Sequence, residues 1–232
     1  EEVNSSEPPE YLPVPELTRG YVIDTDSIIE FLEIENHLEY YKKMVTALLR
    51  YSEEKRRIVI CDNEENIVKW IAALHYTLPL EIAKTVNFTS YEYDPELSSS
   101  IICGVISEGT KYHVSTYIES NKHYVFDFIN HQFSQVENND DFMDFLDTVF
   151  SFSYDSLTEF HSFVIGKTTY REYGKGYYAA YYFYNLLTEG IVEITQEKFK
   201  SIVNFSSEYL SDSVRKELID KLISERDNIS RL

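Results

Sequence analysis

The sequence predicts an α/β fold organised on a βαβ core, and three observations carry that expectation. Residues 58–61, Ile-Val-Ile-Cys, are a short apolar run of the kind found in a strand buried on both faces. Ile67, Ile71, Leu74 and Leu78 then recur at steps of four, three and four, which places them on one face of a helix. Two further β-rich runs follow, near residues 86–91 and at 101–105. A strand, a crossover helix and a parallel strand make one unit. The expectation is that the runs beginning at Ile58 and Val86 are neighbouring parallel strands, bridged by the helix that bears Trp70.

In chain order, residues 1–20 are acidic and carry Pro8, Pro9, Pro13 and Pro15, so an extended linker from a preceding domain is expected. A short strand is expected at 21–23, and Asp26 or Ser27 is placed to cap the helix beginning at Ile28. The apolar stripe resumes at Leu38, Tyr41, Val45, Leu48 and Leu49, as two short helices or one bent one. In the central helix Val68 and Ala72 widen the buried stripe and Trp70 falls on its flank; Pro79 ends this helix or opens the next. From Ile101 onward, 102–107, 112–119 and 123–130 read as short strands joined by hairpin-like turns, which makes the sheet mixed. Asp140 caps a helix over 141–150, and further helices are expected at 156–165, 169–190 with a stop at Gly190, 196–205 and 211–225. The resulting division is a linker at 1–20, a sheet domain at 21–138 and a helical region at 139–232 packed on the same domain.

Composition narrows the function classes. Forty acidic residues against 21 Lys and Arg give a formal charge of −19, a field that repels phosphate backbones. The one basic cluster, Lys55 to Arg57, fits a solvated strand entry, so no nucleic-acid partner is expected. No apolar run reaches the ~18 residues of a membrane span. Two cysteines, Cys61 and Cys103, lie inside expected strands, which points to a reducing, cytoplasmic setting. There is no initiator Met, and the chain reads as a piece of a longer one. Twenty tyrosines supply side chains suited equally to interfaces and to core edges.

Chemistry-bearing patterns are sparse. Gly166-Lys167-Thr168-Thr169 lacks the earlier glycine of a phosphate loop, since His161 stands there. The six histidines show no helical pair at metal spacing; Asp127 and His131 could share a strand face but fall short of a ligand set. No GxSxG elbow occurs. No catalytic residue, metal site or cofactor is assigned. The best-placed polar cluster is the carboxyl edge of the sheet: Asp62 and Asn63 after the first strand, with Thr89, Tyr91 and Asp94 at the end of the second. Each also has an ordinary structural reading, as helix cap, sheet aromatic or turn. The run from Tyr177 to Tyr184 reads as a helix buried against the sheet.

An ordered combination of residues resembles one family. Val59 to Asp62, Trp70 to Ala73, Leu78-Pro79, Phe88 to Tyr91, Asp94-Pro95 and Gly104 are similar to the middle domain of bacterial GTPase-associated adaptor proteins. The resemblance implies a non-enzymatic module of a larger bacterial protein in NTP-dependent signalling or conflict systems. Its implied partners are a GTPase or effector and other domains of the same polypeptide. Two readings stay open: such an adaptor, or a small-ligand or nucleotide-binding domain, a hydrolase included, that uses the Asp62 and Tyr91 edge.

Overall fold

The computed structural model describes residues 23–138, 140–188 and 195–224. The linker expected at 1–20, most of the strand expected at 21–23 and the stop expected at Gly190 lie outside them. Two helices open the described chain, α1 (Thr25–Leu32) and α2 (His37–Glu54), separated by Asn36 in the left-handed region at φ 67°. The α1 cap is Asp24, two or three residues earlier than expected: its carboxylate accepts from the Ser27 amide at 2.9 Å. Strand β1 (Arg57–Cys61) and helix α3 (Glu64–Tyr76) follow, then the short α4 (Leu80–Ala83), with Pro79 at its cap position. The two-residue β2 (Phe88–Thr89), β3 (Ile102–Val105), α5 (Val114–Ser120), β4 (His123–Asp127) and β5 (Gln132–Phe133) complete the sheet region.

The fold is mixed α/β, as expected, but its strand order is β2-β3-β1-β4-β5. Strands β1 and β2 run parallel in one sheet without touching, because β3 lies between them and pairs parallel with both. The expected adjacency of the runs at Ile58 and Val86 is therefore corrected. The antiparallel expectation beyond Ile101 is also overturned: β4 pairs parallel with β1, and among the described strands of the sheet only β5 is antiparallel, to β4. Parallel strands cannot be joined by a tight turn. The connection from β3 to β4 therefore needs a crossover, and residues 112–119, read as a strand, supply its helix α5, whose Tyr117 packs on the sheet.

Both sheet faces are covered, each by the alternate residues of the strands. Ile58, Ile60, Ile102, Tyr124 and Phe126 meet the large core that includes α1, α2 and α3. Val59, Cys61, Cys103, Val105 and Val125 meet Tyr112 and Tyr117 on the other side. Ile67, Ile71, Leu74 and Leu78 are all buried, but the flank was misjudged: Trp70 is wholly buried and Val68 is exposed. Helix α3 approaches β3 so closely that a Cβ on Gly104 would lie 2.4 Å from Ile67 Cγ2 and 2.5 Å from the Ser90 carbonyl oxygen. Only glycine leaves room there.

The remaining helices are α6 (Asp141–Ser151), α7 (Asp155–Lys167), α8 (Gly176–Thr188), α9 (Gln196–Tyr209) and α10 (Asp212–Ser224). Asp140 caps α6 as expected, accepting from the Phe142 amide at 2.9 Å. The helix expected from 169 starts only at Gly176, since Gly174 takes φ 158° and the Tyr170 ring lies against Gly176. Tyr177, Tyr181 and Phe183 are buried, and α8 packs on α6, α7 and α9 rather than on the sheet. Among the described residues no helix is long and apolar enough to cross a membrane.

Thr77, at the end of α3, ties these layers together. Its carbonyl accepts from Tyr177 at 3.1 Å and from His161 Nε2 at 2.9 Å, while its hydroxyl meets Tyr41 at 2.5 Å. Burial pushes the His161 imidazole down to about 4. A neutral ring in the fold and an ordinary ring in the unfolded chain mean that stability is full above pH ~6.5 and falls as pH drops toward 4. The slope is at most about 1.4 kcal/mol per pH unit from this group. Urea unfolding from pH 7 to 4.5 is expected to show that loss and a shallower slope in His161→Gln. His37 and His123, also lowered by burial, add to the slope in the same direction.

Candidate functional site

The carboxyl edge of the sheet is built from the ends of β1 and β4. Alternation along β1 puts Asp62 on the α3 face, beside Ile58 and Ile60. Four donors converge on its carboxylate there. Trp70 Nε1 donates to Oδ2 at 3.1 Å, and the Asn63 amide, Asn63 Nδ2 and Asn66 Nδ2 reach Oδ1 at 2.7, 3.2 and 3.2 Å. Asn63 in turn caps α3, its side-chain oxygen accepting from the Asn66 amide at 2.9 Å. Three consecutive positions, Asn63, Glu64 and Glu65, thus place acceptor and negative groups where the first helical amides point.

Strand β4 ends on Asp127, the register partner of Cys61, so its side chain falls on the α5 face. It is wholly buried and accepts from the Tyr112 hydroxyl and Asn130 Nδ2, both at 2.9 Å, and from the Asn130 amide at 2.7 Å. Burial, with the Asp127 carboxylate second, pushes the Cys61 thiol up to about 12. Burial also raises Cys103. A thiol held this high supplies almost no thiolate at neutral pH. The two aspartates therefore sit at one edge but on opposite faces of the sheet, each saturated by its own neighbours.

The other residues singled out in the sequence separate from Asp62. Thr89 pairs in register with Cys103, with β3 between it and β1, and its hydroxyl donates to the Tyr91 carbonyl at 2.7 Å. Tyr91 and Tyr93 are about half exposed, so they are surface rings rather than sheet aromatics. The chain then crosses the α5 face toward the amino edge. Asp94 pairs with Lys111 at 3.1 Å, and the Pro95 carbonyl accepts from Arg57, at the start of β1, at 3.0 Å. Asp62 and Asn63 stay together; Thr89 and Tyr91 form a second group, and Asp94 a third.

Asp127, Tyr112 and Asn130 were not singled out as an edge cluster. The available signal was that the apolar run at 123–126 ends in Asp, as the run at 58–61 does. The strand face suggested for Asp127 and His131 does not form, because β4 stops at Asp127 and His131 lies in a turn at φ 52°. Among the described residues no three His, Cys, Asp or Glu side chains gather as a metal site. The glycine-lysine-threonine stretch at 166–169 ends α7, with the Thr168 hydroxyl donating to the Val164 carbonyl at 2.7 Å.

Unfilled apolar surface lies instead at the β2 edge. Among the described residues strand β2 pairs only with β3, and Phe88 is 52% exposed on it. Beside it a cavity of about 470 Å³ lies between α3, α4 and α7, with Tyr76, Leu80, Val86, Phe88 and Tyr154 among its walls. A second hollow, of about 350 Å³, adjoins it through His75, Tyr76 and Phe88.

Residues 29–130 match the family described as GTPase-associated protein 1, middle domain. The matched segment is under half of the chain and contains every residue on which the sequence resemblance rests, from Val59 to Gly104. Comparison with curated proteins and with solved structures gives no match.

Trp70 is the chain's single tryptophan and so reports directly on the edge. Asp62→Ala leaves its buried indole N–H without a partner, which costs about 1–3 kcal/mol. Urea unfolding followed by tryptophan fluorescence is expected to show a lower midpoint and a changed native emission. An unchanged midpoint would contradict the structural role given to Asp62.

Proposed function

With residues 29–130 matching a domain family tied to GTPases, we propose that this chain is a non-enzymatic adaptor domain of a larger bacterial protein. In this reading it works in the cytoplasm and binds a GTPase or its effector in NTP-dependent signalling or conflict. The observation that carries the reading is how the polar and apolar groups are spent. The edge carboxylates of Asp62 and Asp127 are committed to internal donors, whereas Phe88, Tyr91 and Tyr93 are left exposed around β2. Aromatic side chains at an unpaired sheet edge offer a partner both ring surface and free backbone groups.

The charge supports a protein partner over a polyanionic one. A surplus of 19 negative charges speeds encounter with a basic protein face and opposes nucleic acid. Tyr93 stands among Glu92, Asp94 and Glu96, so ring contacts there come with acidic neighbours.

The test uses the full-length protein and a GTPase from its own genome neighbourhood, loaded with GDP or with a non-hydrolysable GTP analogue. Binding by calorimetry is expected in one nucleotide state. Phe88→Ser with Tyr91→Ser is expected to weaken it by about tenfold or more, the effect of losing ~1.4 kcal/mol at an interface centre. Both side chains are half exposed, so the melting temperature should change little. Absence of binding at high micromolar concentration in either state would overturn the proposal.

A further inference from the structure

A hollow of about 410 Å³ lies where the carboxyl ends of α1 and α6 meet the turn into α2. Ile29, Ile34, Leu38 and Phe150 give it apolar walls, and Glu33 and Glu35 stand among them. It shares no wall residue with the groove beside β2. We infer that this hollow docks a lysine- or arginine-bearing segment of a second protein, which seats a large apolar side chain against Ile34 and Phe150.

Apolar exposure supplies the first argument. Ile34 is 52% exposed on the wall. Phe152, next to the wall residue Ser151, is 85% exposed, the highest value for a large apolar side chain among the described residues. Apolar side chains gathered at a concavity are the kind of surface that one buried anchor of a partner covers.

Charge supplies the second. Residues 23–41 hold six acidic side chains and no Lys or Arg, and residues 140–166 hold six more, again with no Lys or Arg. Three of the twelve have ion pairs: Glu39 with Lys43, Asp141 with Lys198 and Asp147 with Lys42. Among the described residues Glu33 and Glu35 have none. Helix carboxyl ends add partial negative charge, and neither α1 nor α6 has a basic residue in its last turn to offset it. The amino end of α2 also opens here, but Glu35 and Glu39 flank it and counter its positive pole. Such a field beside an apolar hollow favours a partner whose cations surround an apolar anchor. Docking here leaves β2 free, and the inference does not rest on what binds at β2.

Peptides selected on the full chain from a random dodecapeptide phage library test the inference, at ~0.15 M salt, where exposed charges are screened beyond about 8 Å. The recovered peptides are expected to combine Lys or Arg with a large apolar residue. By fluorescence anisotropy, Ile34→Ser with Phe152→Ser should weaken their binding about tenfold or more. Both side chains are exposed, so the melting temperature should change little. Glu33→Gln with Glu35→Gln should weaken binding about threefold, whereas Glu197→Gln with Glu208→Gln, the same charge change on the exposed face of α9, should leave it unaltered. Equal loss in the two glutamate pairs would overturn the inference, because attraction would then be to the net charge alone. So would a library that yields no binder, or peptides that ignore Ile34 and Phe152 but lose affinity in Phe88→Ser, since those belong to the β2 edge.

Discussion

Helix α3 reaches the sheet because Gly104 has no side chain, and most of the molecule follows from that approach. With Ile67 and the Ser90 carbonyl both pressed against the Gly104 backbone, α3 lies flat on β3, and the chain around Ser90 closes over the same strand. The helix is then fixed at both ends by polar bonds. Trp70 and Asn66 hold the Asp62 carboxylate near its start, and Thr77 receives Tyr41, His161 and Tyr177 at its finish. Those three partners come from α2, α7 and α8, so the position of one helix on the sheet sets where three others dock.

The same arrangement explains how the carboxyl edge holds its aspartates. A parallel sheet covered on both faces leaves its strand ends as the natural place for polar groups. Here the two strand-end carboxylates turn to opposite faces and are consumed as acceptors for indole, hydroxyl and amide donors. Buried carboxylates satisfied in this way define the edge geometry; they cost far more to leave unpaired than they gain when paired. Among the described residues, exposed apolar surface lies away from them, around β2 and the groove beneath it.

Much of this was legible in the residues. Apolar runs ending in Cys61 and Val105 marked strands, the four-three-four spacing marked α3, and the Asp140 cap and the polar start at Asn63 marked helix entries. Strand order was not legible, because nothing local in 86–91 says that a later strand will insert between it and β1. Residues 112–119 misled because Tyr, Val, Thr and Ile favour strands, whereas the demand for a crossover between two parallel strands decides for helix. The candidate edge residues were placed correctly along the chain but not in space. Asp62 and Asp94 each follow an expected strand, yet Asp94 pairs with Lys111 on the connection between β3 and α5, and β3 stands between β2 and β1.

The central claim is that the Asp62 edge is structural and that partner recognition belongs to the aromatic β2 edge. It is tested most directly by the affinity of an Asp62→Asn protein for the proposed GTPase partner, measured at a temperature where that variant is fully folded. The account predicts a dissociation constant within about twofold of the unaltered chain, a difference under ~0.5 kcal/mol. A loss of about tenfold or more at an unchanged melting temperature would contradict it and return the carboxyl edge to the role of binding site.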